Sequence, residues 1–308
     1  PALCTVVSAG ADAELRRMAA DALGQIADPG AIATLAEVMR GEERGLSFSC
    51  AYALGRIGAP ALDVLIQAVE QGSPQTRRAA ATVLGQIPGE RTVRTMRALL
   101  TSPDPSLRLS AAENLGQLGC KDAAADIVAL MTDPDPTVRM GVPRVLMTLG
   151  AAAAQPLCSV LALDTHTITR KDGQAKAVAI SLEPIHQAAI GVLMNLSGPE
   201  AVRPLVLASR FYYGTRGNPA REHLQKQLEQ APCRKELFRI VAEGSPRERQ
   251  LALTALITAL HSRPSRSGDR AGRNAGPDKA VWKDVADNAA VLVGALKAQE
   301  AGVRRLAA

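Results

Sequence analysis

Large aromatic side chains are scarce in this chain of 308 residues, which contains three Phe, three Tyr and one Trp. Hydrophobic residues nevertheless make up 47% of the sequence. A core with so few rings must be built from Ala, Leu, Val and Ile, through many small contacts between neighbouring elements. This composition fits an array of small helices, and it makes any cluster of aromatic residues informative.

Sequence motifs of the common enzyme classes are also absent. The chain has no P-loop, no G-x-G-x-x-G, no G-x-S-x-G and no H-E-x-x-H. Its four histidines, His166, His186, His223 and His261, stand in four separate segments, so we expect them to be surface or half-buried groups. We therefore predict a protein that is not an enzyme and that has no metal or cofactor site.

Cysteine is infrequent and scattered. The chain has five cysteines, an odd number, and none forms a C-x-x-C pair. This pattern argues against a disulfide framework or a structural zinc site and favours a reducing compartment. We expect no membrane span on the criterion of roughly 18 consecutive apolar residues, and the N-terminal segment lacks the basic region of a signal peptide. The predicted location is cytoplasmic.

The sequence contains a repeat. Gly24 in RRMAADALGQI is followed by Gly55, Gly85, Gly116 and Met147 at equivalent positions, with spacings of 31, 30, 31 and 31 residues. A sustained period in this range is typical of a solenoid, in which each unit buries its apolar face against the next unit.

One unit, from Pro103 to Met131, illustrates the predicted helical hairpin. Asp104-Pro105 indicates a helix start, because the carboxylate can accept from the first free N–H groups and proline suits the first helical position. Gly119 indicates the end of that first helix. Apolar residues at helical spacing, among them Ile127, predict a second helix.

These residues resemble the HEAT repeat in its short phycobilisome-lyase-type form. The first helix carries an R-x-x-A-A-x-x-L-G pattern, and proline often opens the second helix, as in Asp28-Pro29 and Ala59-Pro60. The resemblance is clear over residues 12–163 and weaker afterwards. It implies an all-α fold, a right-handed α-solenoid of about eight HEAT-like helical hairpins. HEAT-like enzymes of the deoxyhypusine hydroxylase type hold iron with repeated His-Glu pairs, and no His precedes a Glu here.

The fifth and sixth units are separated by an insertion. Met147 to Met194 is 47 residues, 16 more than the period, and the excess lies in 164–182. Two alternating, β-branched runs flank Asp172-Gly173, which is a strong signal for a type I′ hairpin turn. We predict an inserted β-hairpin near residues 165–182 that lies against the solenoid or a partner, since an isolated hairpin is marginally stable.

The repeat and the insertion together divide the chain into five segments. The first ten residues match the second helix of a preceding unit, which is compatible either with a half-repeat or with a chain cut from a longer array. The predicted segments are regular HEAT-like repeats at 1–163, the inserted β-hairpin at 164–183, divergent HEAT-like repeats at 184–261, a flexible Arg-rich linker at 262–278, and a C-terminal capping helix at 279–308.

Arginines recur near the starts of the first helices. Arg17, Arg78, Arg108 and Arg139 each fall about three residues inside a predicted helix start, close to carboxylates of the same or the adjacent unit. This spacing predicts ion pairs that tie one repeat to the next, and not a row of binding residues. A network of such pairs stabilises more than an isolated one.

The second helices are predicted to line the concave face of the solenoid. Among their exposed positions we expect Glu37, Gln67, Arg94 and Arg97 to contact a partner. Charges of both signs alternate there without interleaved aromatic residues. Phosphate binding favours a stripe of one sign, so this face suits a protein better than a nucleic acid.

Two further places are predicted to contact a partner. In the hairpin they are His166, Arg170 and Lys171, although the hairpin is equally compatible with decoration of the solenoid edge. The second place is the loop that holds three of the seven aromatic residues, where Tyr and Arg are favoured interface residues. Its residues are Phe211, Tyr212, Tyr213 and Arg216. The alternative is that these rings pack under the hairpin.

Three functions remain open. The leading prediction is a non-enzymatic scaffold or adaptor that binds another protein. Residues 164–308 contain 22 Lys and Arg against 14 Asp and Glu, so the basic half favours an acidic protein or, as the second hypothesis, a nucleic acid. The third hypothesis, a bilin lyase-like subunit, is implied only by the repeat type.

Overall fold

The computed structural model describes residues 2–10, 12–41, 43–163, 167–171, 177–211, 219–261, 279–294 and 297. Within these ranges the chain forms helices and one two-stranded sheet. It divides into two compact units. Unit 1 comprises Pro1–Leu149 and Thr167–Ile180, and unit 2 comprises Gly150–His166 and Ser181–Ala308. The predicted linker, 262–278, lies outside the described residues.

The described residues of unit 1 form ten α-helices, which alternate as second and first helices of successive repeats. Short 3-10 turns at Pro29–Ala31, Ala59–Ala61 and Lys121–Ala123 precede three of the second helices. The helices are α1 (Ala2–Ala9), α2 (Ala13–Ile26), α3 (Ile32–Met39), α4 (Arg44–Ile57), α5 (Leu62–Gln71), α6 (Pro74–Leu84), α7 (Glu90–Leu99), α8 (Pro105–Gln117), α9 (Ala124–Ala129) and α10 (Pro136–Leu149).

The helix ends follow the signals in the sequence. Asp12 and Asp104 cap α2 and α8, each accepting a hydrogen bond from a backbone N–H two residues later. Ser73 caps α6 in the same way through the Thr76 N–H. Two glycines with left-handed backbone, Gly58 at φ +80° and Gly119 at φ +65°, end α4 and follow α8. Only glycine adopts such angles without strain.

Successive first helices approach closely at the repeated glycine. A Cβ atom on Gly24 would lie 2.7 Å from the Ala53 Cα in α4, and a Cβ atom on Gly116 would lie 2.6 Å from the Val145 Cγ1 in α10. The side of a first helix that contacts the next first helix is called here its forward face. The glycine recurs because a larger residue there would push the two helices apart.

An alanine column accompanies the glycines on the forward faces. It occupies the position four residues before each glycine, and all of its side chains are fully buried at 0% exposure. Its members are Ala20, Ala51, Ala81 and Ala112. Small residues at two positions per repeat thus allow close packing without aromatic residues.

The predicted β-hairpin is present. Its strands, β1 (Thr167–Lys171) and β2 (Ala177–Ser181), pair with each other. Burial alternates along β2, where Ile180 is buried and Ala179 is exposed, so one face of the hairpin packs inward. The turn, 172–176, lies outside the described residues.

Unit 2 contains seven described helices. α13 contacts α11, α14 and α15, and α16 contacts α15, so these repeats also stack in chain order. The prediction of an all-α solenoid of about eight helical hairpins with one inserted β-hairpin is confirmed. The helices are α11 (Ala154–Leu161), α12 (Glu183–Leu193), α13 (Pro199–Ala208), α14 (Pro219–Gln227), α15 (Ala231–Glu243), α16 (Pro246–His261) and α17 (Lys279–Asp287).

Among the described residues one stretch, 136–161, is long and apolar enough to cross a membrane by length and composition. We did not expect such a stretch from the sequence. Its two halves are separate helices, because α10 ends at Leu149 and Gly150, at φ +60°, starts a 3-10 turn before α11. Neither helix reaches the roughly 20 residues of a span, and core helices of soluble proteins pass the same test.

Candidate partner-binding surfaces

The second helices of unit 1 present exposed polar side chains in successive repeats. Glu37 on α3, Gln67 on α5, and Arg94 and Arg97 on α7 are all exposed. Successive second helices pack beside one another, as α1 does with α3 and α5 with α7. The predicted contact residues of this region therefore share one surface, which is called here the second-helix face.

Ion pairs join neighbouring repeats across the second-helix face. Arg91 Nη1 lies 2.5 Å from Asp63 Oδ1, and Arg97 donates to Asp126 Oδ2 through Nε at 3.0 Å and Nη2 at 2.6 Å. Arg94 pairs with Glu90 of its own helix at 2.7 Å. These pairs are exposed, so each adds little stability. From α5 to α9 they make the face a strip that carries charges of both signs.

Buried ion pairs belong instead to the first helices. Arg108 forms a fork with both carboxylate oxygens of Asp133, at 2.7 and 2.6 Å, and the two side chains are only 8% and 3% exposed. Arg78 pairs with Asp104 at 3.0 Å in a more exposed setting. Arg139 donates to two backbone carbonyls, and Arg17 pairs with Glu14 of its own helix. Arg78 and Arg108 thus tie repeats together.

The hairpin contacts the helices of unit 1 through one of its predicted contact residues. Arg170 Nη2 donates to Thr132 Oγ1 at 3.1 Å, and Thr132 is buried. Arg170 is itself exposed. Lys171 ends β1, with only its backbone described, and His166 lies outside the described residues.

Phe211 takes part in a packed cluster of unit 2. Its ring stacks on His186, with ring centroids 4.0 Å apart and an interplanar angle of 27°. The Arg210 guanidinium carbon lies 4.4 Å from the Phe211 centroid, a cation–π geometry. His186 is 4% exposed. Phe211 therefore packs on α12, whereas Tyr212, Tyr213 and Arg216 lie outside the described residues.

A cleft of about 340 Å³ lies between α11, α13 and the N-terminus of α16. Arg203 Nε donates to Glu248 Oε1 there at 2.8 Å. No local pattern predicts this pair, because its partners stand 45 residues apart and are joined by the packing of α13 on α16. The cleft is lined by Cys158, Ser159, Ala162, Leu207, Arg210, Ser245, Arg247 and Glu248.

The electrostatics of this cleft argue against nucleophilic chemistry. Burial raises the pKa of the Cys158 thiol to about 12, so the thiol is protonated and unreactive near neutral pH. Burial would also raise the pKa of Glu248, but hydrogen bonds from Arg203 and from the backbone and hydroxyl of Ser245 outweigh it and hold that pKa below its ordinary value. Glu248 is thus an ionised structural carboxylate.

The described part of the chain contains no group of three His, Cys, Asp or Glu residues that could hold a metal ion. His186 Nε2 lies 3.2 Å from the Val160 carbonyl, and His223 Nε2 lies 2.8 Å from the Leu196 carbonyl. Both histidines therefore take part in hydrogen bonds between repeats.

Comparison with known families agrees with this geometry. The profile of HEAT repeats matches residues 1–85, 62–124 and 93–177, which together cover more than half of the chain. The chain belongs to the HEAT-repeat family. Solenoids of HEAT repeats present extended surfaces and commonly mediate protein interactions. No curated protein matches this HEAT-repeat chain.

Several solved structures are similar to this HEAT-repeat protein. Human deoxyhypusine hydroxylase in complex with glycerol is 17% identical, with a TM-score of 0.37 over 85% of this chain and 96% of that one. The CpcE–CpcF complex of phycocyanin lyase from Nostoc sp. PCC7120 is 18% identical, with a TM-score of 0.39 over 84% and 94%. The karyopherin Kap121p, bound to the extreme C-terminus of the protein phosphatase Cdc14p, is 12% identical, with a TM-score of 0.45 over 83% and 33%.

Proposed function

We propose that this HEAT-repeat protein is a non-enzymatic scaffold that binds another protein through the second-helix face and the region of the hairpin and aromatic loop. The observation that carries the proposal is the continuity of the second-helix face. Exposed polar side chains recur from α3 to α9, and ion pairs bridge α5 to α7 and α7 to α9. An extended partner segment could contact several repeats at once.

The charge pattern of the face favours a protein partner. Arg91, Arg94 and Arg97 each pair with an acidic residue, so the strip has no row of a single sign. A nucleic acid would gain little binding affinity from this strip, because its binding is driven by neutralisation of consecutive phosphates. A protein surface of matching, alternating charge suits it better.

The hairpin is proposed to add a second contact region. β1 exposes Thr167, Thr169 and Arg170, of which Arg170 also donates to the buried Thr132. Insertions in repeat proteins map to one face, which is often the binding face. His166, Lys171 and the aromatic residues Tyr212 and Tyr213 belong to the same proposal.

The proposal is tested by affinity capture from the source lysate, followed by reconstitution with the purified partner. One variant carries Glu37→Arg and Gln67→Arg on the second-helix face. Another replaces residues 167–179 with a short Gly/Ser loop and keeps Ile180 and Leu182, which are 2% and 1% exposed. We expect the reconstituted complex to weaken at least tenfold in one or both variants.

Glu113→Lys, an exposed change on α8, is the matched control and should leave the affinity unchanged. All variants must keep the helical circular dichroism and melting midpoint of the unchanged protein. Capture of nucleic acid alone, with an affinity that falls steeply with salt, would replace the proposal by the second hypothesis. A copurified pigment with visible absorbance would point to a bilin-binding role instead.

A further inference from the structure

The two strands of the hairpin differ in how their sequences protect the outer edge. β1 includes Arg170 and Lys171, and charged residues on an edge strand, lysine above all, discourage pairing with a further strand. β2, with the sequence AVAIS, contains neither a charged residue nor a proline. The side of β2 that faces away from β1, called here the β2 edge, is therefore the less protected of the two edges.

The backbone of β2 has a row of hydrogen-bonding groups on this edge. Strands joined by so short a loop are antiparallel, and in such a pair each strand directs alternate N–H and C=O groups away from its partner. Among the residues that the structure describes, the sheet has two strands, and no backbone hydrogen bond joins Ala177–Ser181 to a helix or loop. The β2 edge can thus bond the backbone of a third strand.

The side chains of β2 indicate what kind of strand would fit. Val178 is half-buried and Ile180 is 2% exposed, whereas Ala177 and Ala179 are exposed. A strand beside β2 would place its alternate residues next to Val178 and Ile180, where β-branched or aromatic side chains form favourable cross-strand pairs. A charged residue at that place would lose hydration without gaining a counter-ion from β2.

We propose that the β2 edge accepts an extended segment of another protein as a third strand, with β-branched or aromatic residues at alternate positions and no charge at its centre. Backbone hydrogen bonds would supply the affinity, and the alternate side chains the specificity. A third strand would also stabilise the sheet, because two strands alone are marginally stable. The inference rests on the proposed function, since it specifies how the hairpin region binds its protein partner.

The test is a selection from a displayed library of peptides about eight residues long, enough to span one strand. The intact protein is the target, and the double variant Ala177→Lys, Ala179→Lys is used for counter-selection. Both alanines are exposed, so the lysines add charge beside the β2 edge without entering the core. We expect enriched peptides with alternating apolar residues and no central proline, whose affinity falls at least tenfold in the double variant.

The matched control is the double variant Thr167→Lys, Thr169→Lys, which adds the same two charges at exposed positions of β1. It should bind the enriched peptides as tightly as the unchanged protein, and both double variants must keep its melting midpoint. Equal losses of affinity in the two double variants would overturn the inference. So would the absence of any enrichment over the counter-selected variant.

Methylation of backbone nitrogens in an enriched peptide identifies the binding mode. Only every second N–H of an added strand points toward β2, so methylation at one set of alternate positions should abolish binding, and methylation at the other set should leave it intact. Losses that do not alternate would overturn this inference alone. The proposed function fails separately, if the captured partner binds equally to the Glu37→Arg, Gln67→Arg variant and to the loop replacement.

Discussion

α8 and α10 occupy the same place in successive repeats of unit 1, yet their forward faces differ. α8 presents Ala112 and Gly116, which the next helix covers, whereas α10 presents Pro143 and Met147 at the same positions. Pro143 also removes a backbone donor from the middle of its helix. The close approach of α10 to α8 depends on these two small residues of α8, more than on overall hydrophobicity.

The largest expected change in stability comes from the arginines near the starts of α8 and α10. Arg108→Ala would leave the Asp133 carboxylate, 3% exposed, without its bidentate partner. Loss of one member of a buried pair costs about 3–5 kcal/mol. We expect this loss in the free energy of unfolding, measured by urea titration followed by circular dichroism.

Arg139→Ala is the matched variant on α10. Within the described part of the chain, Arg139 donates to two backbone carbonyls, those of Asp133 and Pro134. Its removal should cost about 2 kcal/mol, since each of the two hydrogen bonds contributes about 1 kcal/mol. Equal losses in the two variants would contradict the distinction between the two helices.

The next effect concerns the close approach of the helix backbones. Gly24→Ala would place a Cβ atom 2.7 Å from the Ala53 Cα, a backbone atom that cannot rotate away. Overpacking of this kind should destabilise the protein by about 1–3 kcal/mol.

Gly191→Ala is the control, because a Cβ atom there would meet no atom within 4 Å. Alanine is the better helix former, so this variant should gain roughly 0.5–1 kcal/mol. Thermal or urea denaturation measures the expected loss of stability in Gly24→Ala and the expected gain in Gly191→Ala. If both variants were stabilised, the interpretation of the repeated glycine would be wrong.

A third pair of variants compares the apolar residues of the two forward faces. Leu109→Gln removes a half-buried side chain that packs on Gly141, which should cost about 1 kcal/mol given the value of a fully buried leucine. Met140→Gln alters a side chain that is 81% exposed and should change stability by less than about 0.5 kcal/mol. A large loss from Met140→Gln would show that α10 is covered in solution.

The smallest expected effect is a pH dependence in unit 2. Because the pKa of Glu248 lies below its ordinary value of 4.5, its contribution to stability is present above about pH 4.5 and is lost as pH falls through the lowered pKa. Urea titrations of the unchanged protein and of Glu248→Gln should therefore differ at pH 7 and converge as the pH falls below 4.5. A constant difference between the two proteins would contradict this assignment.

Local signals predicted the elements well. Asp172-Gly173 between alternating runs was sufficient for the hairpin, because turn type and strand periodicity are short-range properties. The spacing of four arginines predicted ion pairs between repeats. Arg78 and Arg108 form them, whereas Arg17 pairs within its own helix and Arg139 donates to backbone carbonyls. The stack of Phe211 on His186 and the Arg203–Glu248 pair were not predicted, since both join segments whose separation in sequence carries no local signal.

The sequence by itself determined the repeat, the helix starts and ends, and the small residues that allow the helices to stack, because each depends on residues within one period of about 31 positions. Only the tertiary structure decided which of the repeated positions are covered. Met140 occupies a position that is half-buried one repeat earlier, and its exposure depends on whether a neighbouring helix covers it. Burial is a property of the packed neighbours and not of the residue itself.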